Sequence, residues 1–359
     1  MAKASLTTIP GAHSARMPRA IEPMKAVLVD DPFDRSGWIF EDKYDGIRAI
    51  AYVEDGEVTL YSRNQKEMTA RYPELLKLPQ WIRAKQAILD GEIIVVNRRG
   101  SASFQDLQAR FGVTDKNTIE RLVKTQKIIY YVFDVLYLNG YSLMDAKLLD
   151  RKRVLEQIIK EQPEFKYAPH TLDKGIKRFK EAERKHLEGI IAKNGESKYV
   201  QKRSTEWLKI KTSMRQEAVI IGYSQPQGSR EYFGALLLAL YDGHRLVSAG
   251  KVGTGFDRKR LKEIYEAMKP YKVKESPLPE FQARRVYDVQ WLKPKLVCEV
   301  KFTELTGEGS FRHPVFVGLR YDKKPQECTF EPRRSAKEAV KTAEREETSL
   351  RKLIARKRV

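Results

Sequence analysis

Lys43 sits in FEDKYDGIRA, residues 40–49, between carboxylates and just ahead of an Asp-Gly pair. An ammonium is no nucleophile, so attack through this nitrogen requires the neutral amine, which burial or nearby cations favour. A strand end is a rigid mount, Gly46 lets the backbone approach a ligand closely, and Arg48 can hold a phosphate or ribose. The plain alternative is a solvent-facing lysine in a surface hairpin turned at Asp45-Gly46. Other fragments add chemistry. LDGEIIV places Glu92 on a strand, where it could accept a ribose hydroxyl or bind a metal. HLEGIIAKN sets Glu188 before a glycine and an apolar strand, a carboxylate suited to a metal-bridged phosphate. EWLKIK carries Lys209 and Lys211 two apart, hence on one strand face, as nucleotide phosphates require.

The elements around these residues read as α+β. IRAIAYVEDGEVTLYSR is a hairpin turned at Asp55-Gly56, and IIYYVFDVLYL is a buried strand. Amphipathic helices are expected over 148–160 and 173–186. After Thr212 five short strand-like runs and one helix near 258–268 suggest a small barrel of the OB type, closed or partly open. The domains expected are a flexible basic leader (1–20), a first domain (21–213), a barrel domain (214–330) and a charged, mobile tail (331–359). Trp38 and Trp81 read as core, and Trp207 as packing.

Composition narrows the partners. With 68 Lys and Arg against 48 Asp and Glu, the formal charge is +20, which points to a polyanion, nucleic acid first. Cys298 and Cys328, with no CxxC, exclude a disulfide framework and a structural zinc site. No apolar run approaches a membrane span and the leader lacks an apolar signal core, so the expected location is cytoplasmic, near the nucleoid.

Taken in order, KYDGIR, SRN, DGE, YYVFD, EGIIAK and EWLKIK resemble the motif series of the covalent nucleotidyltransferases, and within them the ATP-dependent DNA ligases. The stretch LVCEVKFTELTGEGSFRHPVFVGLRYDKKP is similar to the end of the OB domain of the bacterial and archaeal end-joining type, ligase D. The resemblance runs from about residue 20 to 330. It implies an ATP-grasp-like nucleotidyltransferase domain of antiparallel sheets with flanking helices, followed by an OB-fold β-barrel. It implies ATP as cofactor, Mg2+ or Mn2+, and a lysyl-AMP on Lys43 that passes to a 5′-phosphate and is displaced by a 3′-hydroxyl.

By the same resemblance Glu41 accepts from the adenine amino group and Phe133 stacks on the base. Arg48 and Arg63 serve sugar or phosphate, and Glu92 serves the ribose. Lys209 and Lys211 hold the α-phosphate, and Glu188, with Glu92, takes the metal. Arg320 and Lys323 orient the leaving pyrophosphate, which asks the second domain to swing about a pivot near 211–216. Asp45 and Asp134 are expected to hold neighbouring groups. The implied partners are double-stranded DNA with nicks or ends and a Ku-type end-joining protein, the chain acting as a monomer. The alternatives are an RNA ligase or GTP-using capping enzyme and, outside catalysis, a nucleic-acid-binding OB protein.

Overall fold

The computed structural model describes residues 6–96, 104–185, 187–226, 228, 230–278, 289–307, 309–331 and 334–345. They form two compact units. The first takes residues up to Thr212 together with the C-terminal segment, and the second begins at Ser213.

The first unit stacks two sheets. The larger has the order His13–Ser14, Tyr141–Ser142, Lys127–Leu138, Gln86–Val96, Ile47–Glu54, Glu57–Ser62, with Phe165–Tyr167 added parallel to Lys127–Leu138. Its Asp55-Gly56 hairpin has both turn residues at positive φ, 50° and 86°, the twist a two-residue connection needs. The second sheet runs His170–Leu172, Trp38–Asp42, Gly189–Asn194, Arg203–Lys211, Lys25–Val29. Its last pair is parallel, so both sheets are mixed rather than purely antiparallel. Side chains alternate across this sheet. Trp38, Phe40, Ile190, Ala192, Leu208 and Ile210 face one way, into a core closed by the Gly175–Arg184 helix. Glu41, Ile191, Lys193, Trp207 and Lys209 belong to the other face and line a cavity. The charged cavity-lining residues therefore lie on the inner face, and the core closed by that helix on the outer one.

KYDGIR corrects the hairpin expectation. The Trp38–Asp42 strand belongs to one sheet and Ile47–Glu54 to the other, so residues 43–46 cross between sheets. Gly46 is needed for packing rather than for ligand approach: a Cβ there would lie 2.4 Å from the Ile93 carbonyl oxygen. Local turn chemistry is the same for both connections, which is why the sequence pattern suggested the commoner one.

Both ends of the chain also depart from expectation. The described part of the leader is docked: Leu6 is fully buried, and His13–Ser14 pairs with Tyr141–Ser142. Residues 336–345 are helical, and Ala336, Ala339, Val340 and Ala343 complete the outer core of the second sheet. Asp30 Oδ1 accepts the Ala336 N–H at 2.9 Å, and Arg35 pairs with Glu344. A mobile tail is thus incorrect for these residues; 346–359 lie outside the described residues.

In the second unit the order is Arg245–Val252, Leu236–Asp242, Met214–Ser224, Val289–Phe302, Lys272–Val273, with Val315–Leu319 also on Val289–Phe302. Among the described residues the sheet does not close; an isolated bridge, Thr254 to Val315, connects its flanking segments. It is an open version of the expected barrel. The Arg258–Met268 helix buries Leu261, Ile264 and Met268, and Asp257 caps it by accepting the Arg260 N–H.

Asp134, next to Phe133, is fully buried and takes a two-pronged bond from Arg151, Nε and Nη2 each at 2.8 Å. Removing one partner strands a buried charge. Asp134→Ala is expected to destabilise the first unit by about 3–5 kcal/mol in urea unfolding; a loss under about 1 kcal/mol would show the pair to be dispensable.

Candidate active site

The cavity between the sheets has a volume of about 150 Å³. Its wall includes Glu41, Lys43, Arg48, Glu92, Phe133 and Lys209, six of the residues expected from sequence, joined by Asp42, Tyr44, Lys193 and Trp207. Arg48 and Glu92 are directly opposed on neighbouring strands of the larger sheet, and Ile191 lies opposite both Glu41 and Lys209 in the other.

Lys43 follows directly on its strand, with its backbone N–H on the Gly189 carbonyl at 2.9 Å. That contact brings the segment before Gly189 alongside, and Lys43 Nζ donates to Glu188 Oε2. Gly189 has no room for a side chain, since a Cβ would stand 2.0 Å from the Ile210 carbonyl oxygen. Glu188 Oε1 lies 3.7 Å from Lys211 Nζ, so one carboxylate is shared by two ammonium groups. Burial pulls the Lys43 pKa down, but Glu188, helped by Asp45 and Glu92, outweighs it and holds Lys43 above the ordinary lysine value. At rest Lys43 is an ammonium whose proton already points at an acceptor.

At the Arg48 side of the cavity, the guanidinium clamps Asp90 through Nε at 2.5 Å and Nη2 at 2.6 Å. Tyr199 donates to the same carboxylate at 2.7 Å. Burial disfavours the Arg48 charge, yet Asp90 more than restores it, and the pKa lies above the usual arginine range. The guanidinium carbon lies 4.7 Å from the Phe133 ring centre.

Glu41, 2% exposed, is held from both sides: Lys152 Nζ on Oε1 and Lys193 Nζ by Oε2, each at 2.6 Å. Burial pushes its pKa up, and the two lysines overcome this and keep it below the carboxylate norm. Lys193 also lies 4.1 Å from the ring centres of both Phe133 and Trp207. Burial, with Lys152 adding to it, depresses the Lys193 pKa to about 8 despite Glu41.

Some expected residues lie elsewhere. Arg63, just past the Glu57–Ser62 strand, is not in the cavity wall. Glu188 and Lys211 reach it through Lys43 rather than lining it. Arg320 and Lys323 belong to the second unit, where Arg320 binds Asp322 at 2.7 and 2.8 Å and Glu299 at 2.8 Å, while Lys323 pairs with Glu217 at 3.0 Å. Trp207 packs in a buried cluster with Phe133 and Tyr199, as expected, and one side of it also lines the cavity.

Two buried lysines on Glu41 escaped the sequence reading. Lys193 sits inside EGIIAKN, a cation in an apolar strand and on the cavity-facing parity. Lys152, with Arg151, occupies the buried stripe Leu148, Arg151, Lys152, Leu155, Ile158 of its helix. Cations at the core positions of an amphipathic helix were the signal.

Among the described residues no cluster of three or more His, Cys, Asp or Glu groups forms a ready metal site. Glu188 and Glu92 nevertheless both act on Lys43. Two carboxylates completed by substrate phosphates and water are the donor set Mg2+ usually takes, so the residues fit such an ion. No helix among the described residues is long and apolar enough to cross a membrane.

The family model "ATP dependent DNA ligase domain" matches residues 23–211, and "ATP dependent DNA ligase C terminal region" matches 229–323. The chain is 37% identical over 345 residues to the multifunctional non-homologous end joining protein LigD of Pseudomonas aeruginosa, covering 93% of this chain and 40% of that protein. It is 33% identical over 306 residues to a DNA ligase of Thermococcus fumicolans, covering 80% of this chain and 53% of that one. In both cases the chain spans less than two thirds of the relative's length. Among solved structures it is similar to mycobacterial DNA ligase D complexed with ATP and MES, with a TM-score of 0.63, 30% identity and coverage of 87% of this chain and 98% of that one.

The Glu188 contact makes a prediction that needs no substrate. In Glu188→Gln the largest charge opposing burial is gone, Asp45 and Glu92 alone remain against it, and the Lys43 pKa falls. Each unit of fall raises the neutral amine about tenfold. Acylation of Lys43 at pH 8, followed by peptide mapping of protein free of nucleotide, is expected to speed up by about that factor or more. An unchanged rate would mean that Glu188 does not set the charge of Lys43.

Proposed function

The chain belongs to the ATP-dependent DNA ligase family, and from that membership we propose that it seals 5′-phosphate/3′-hydroxyl breaks in duplex DNA through an adenylate on Lys43. The observation that carries the reading is Lys43 at the wall of a base-sized aromatic cavity, hydrogen-bonded to Glu188 and surrounded by Arg48, Lys209 and Lys193. Lys43 Nζ bonds to the α-phosphorus of ATP as the bond from that phosphorus to pyrophosphate breaks. The ammonium proton has Glu188 as its nearest acceptor. AMP is then transferred to the 5′-phosphate, and the 3′-hydroxyl displaces it.

Little covalent chemistry falls to the protein in phosphoryl transfer, so catalysis rests on alignment and offset charge. Lys209 and Lys211 are assigned to the α-phosphate, Glu41 to the adenine amino group, Phe133 to the base face and Glu92 to the ribose. Arg48, fixed by Asp90, serves the ribose or phosphate on its remaining side. Arg63 is assigned to the nick phosphate, and Arg320 and Lys323 to the pyrophosphate. Glu188 and Glu92 would hold a divalent ion, Mg2+ or Mn2+, which would supply neutralisation of the triphosphate charge.

The end-joining names of the LigD relatives support breaks with ends as well as nicks as substrates; a Ku-type end-binding protein as partner and a single chain as the working unit belong to the proposal. The +20 charge supports binding through DNA phosphates and predicts that affinity falls steeply with salt.

Incubation with α-labelled ATP is expected to label the protein, and Lys43→Ala to abolish both label and sealing of an ordinary nick. The same variant is expected to close a nick supplied already adenylated, because that step does not use the lysine as a nucleophile. Labelling from GTP and none from ATP, or normal labelling of Lys43→Ala, would contradict the reading.

A further inference from the structure

Lys152 does not line the cavity. It stands behind Glu41, fully enclosed, its three polar directions used by Glu41 Oε1 at 2.6 Å, the Ala168 carbonyl at 3.0 Å and the face of Tyr167 at 4.3 Å from the ring centre. Neither the proposed chemistry nor the packing of apolar groups calls for a lysine at this helix position. We infer that Lys152 is a positioning residue for base selection: by fixing Glu41 as a charged acceptor, it makes the cavity take a purine with a 6-amino group and reject one with a 6-keto group. This rests on the reading above, in which Glu41 faces the base.

A carboxylate offers about four lone-pair positions and no donor. Lys152 takes one position on Oε1, and Lys193 stands against Oε2, so the carboxylate keeps acceptor capacity for the cavity its side chain lines. An amino group can donate there, whereas a keto oxygen meets a full negative charge. Burial works against this arrangement, pushing Glu41 toward its neutral form, and the two lysines hold it ionised. Without Lys152 one of the two cations is gone and Glu41 moves toward the acid. A protonated carboxyl can donate, so it no longer rejects a keto purine. Lys193 cannot replace Lys152, because it already occupies the other side of Glu41 between Phe133 and Trp207.

The test is self-adenylation-type labelling of the full chain, read as kcat/KM for three triphosphates: ATP, GTP and purine riboside triphosphate, which lacks any 6-substituent. For Lys152→Met, ATP is expected to lose about tenfold or more, since a site built around a donor is left with a mispaired acceptor. Purine riboside triphosphate is expected to change little, and the ATP-to-GTP preference to shrink. Lys152→Arg keeps a cation on Glu41 and is expected to retain most of that preference. Equal losses for ATP and purine riboside triphosphate would show a merely structural role and overturn the inference, as would an undiminished ATP-to-GTP ratio in Lys152→Met. Failure of the unaltered protein to take label from ATP would instead sink the ligase reading itself.

Discussion

The structure depends on keeping several like charges close together in a dry place. Lys43, Lys193, Lys209, Lys211, Lys152 and Arg48 crowd one region between two sheets, and none could stay charged there without an anion. Glu188, Glu41 and Asp90 supply them. Each carboxylate is shared: Glu188 between Lys43 and Lys211, Glu41 between Lys152 and Lys193, Asp90 between Arg48 and Tyr199. Glu92 and Asp42 in the cavity wall and Asp45 beside Lys43 add further carboxylates, so cations and anions alternate closely around the cavity. The same local charge stores the proton on Lys43, and that proton has to leave, with Glu188 as its nearest acceptor, before the nitrogen can act as a nucleophile.

The fold supplies the precision this requires. Alternation along Trp38–Asp42, Gly189–Asn194 and Arg203–Lys211 sends apolar side chains to one face and charged ones to the other. The outer face is closed by two helices, one of them the C-terminal segment, whose alanines allow close approach. Residues 43–46 cross between sheets, which places Lys43 at the boundary of both. Asp134 and Arg151 lock the strand that carries Phe133 to the helix that carries Lys152, so the Phe133 ring and the Glu41 support share one rigid connection.

Much of this was legible in the sequence because chemistry and strand parity coincide. Lys209 and Lys211 at spacing two, Glu92 after Asp-Gly, and Lys43 at a strand end each violate the apolar pattern around them. The hairpin turned at Asp55-Gly56 was explicit in its residues. What escaped notice was set by tertiary context. KYDG turns the chain equally well within a sheet or between sheets. Ala336, Ala339, Val340 and Ala343 have helical spacing, but their small side chains looked too slight for a core. Lys152 was hidden because a cation in a basic, amphipathic helix is read as solvated until its partner, Glu41, more than a hundred residues earlier, is known.

The central claim is that one lysine among 68 basic residues carries the nucleotide. Intact-mass measurement after incubation with ATP and Mg2+, followed by peptide sequencing in the mass spectrometer, tests it directly. A single AMP adduct on the peptide containing Lys43, removed by added pyrophosphate, is the predicted result. An adduct on any other lysine, or none under conditions where the protein seals nicks, would contradict the account.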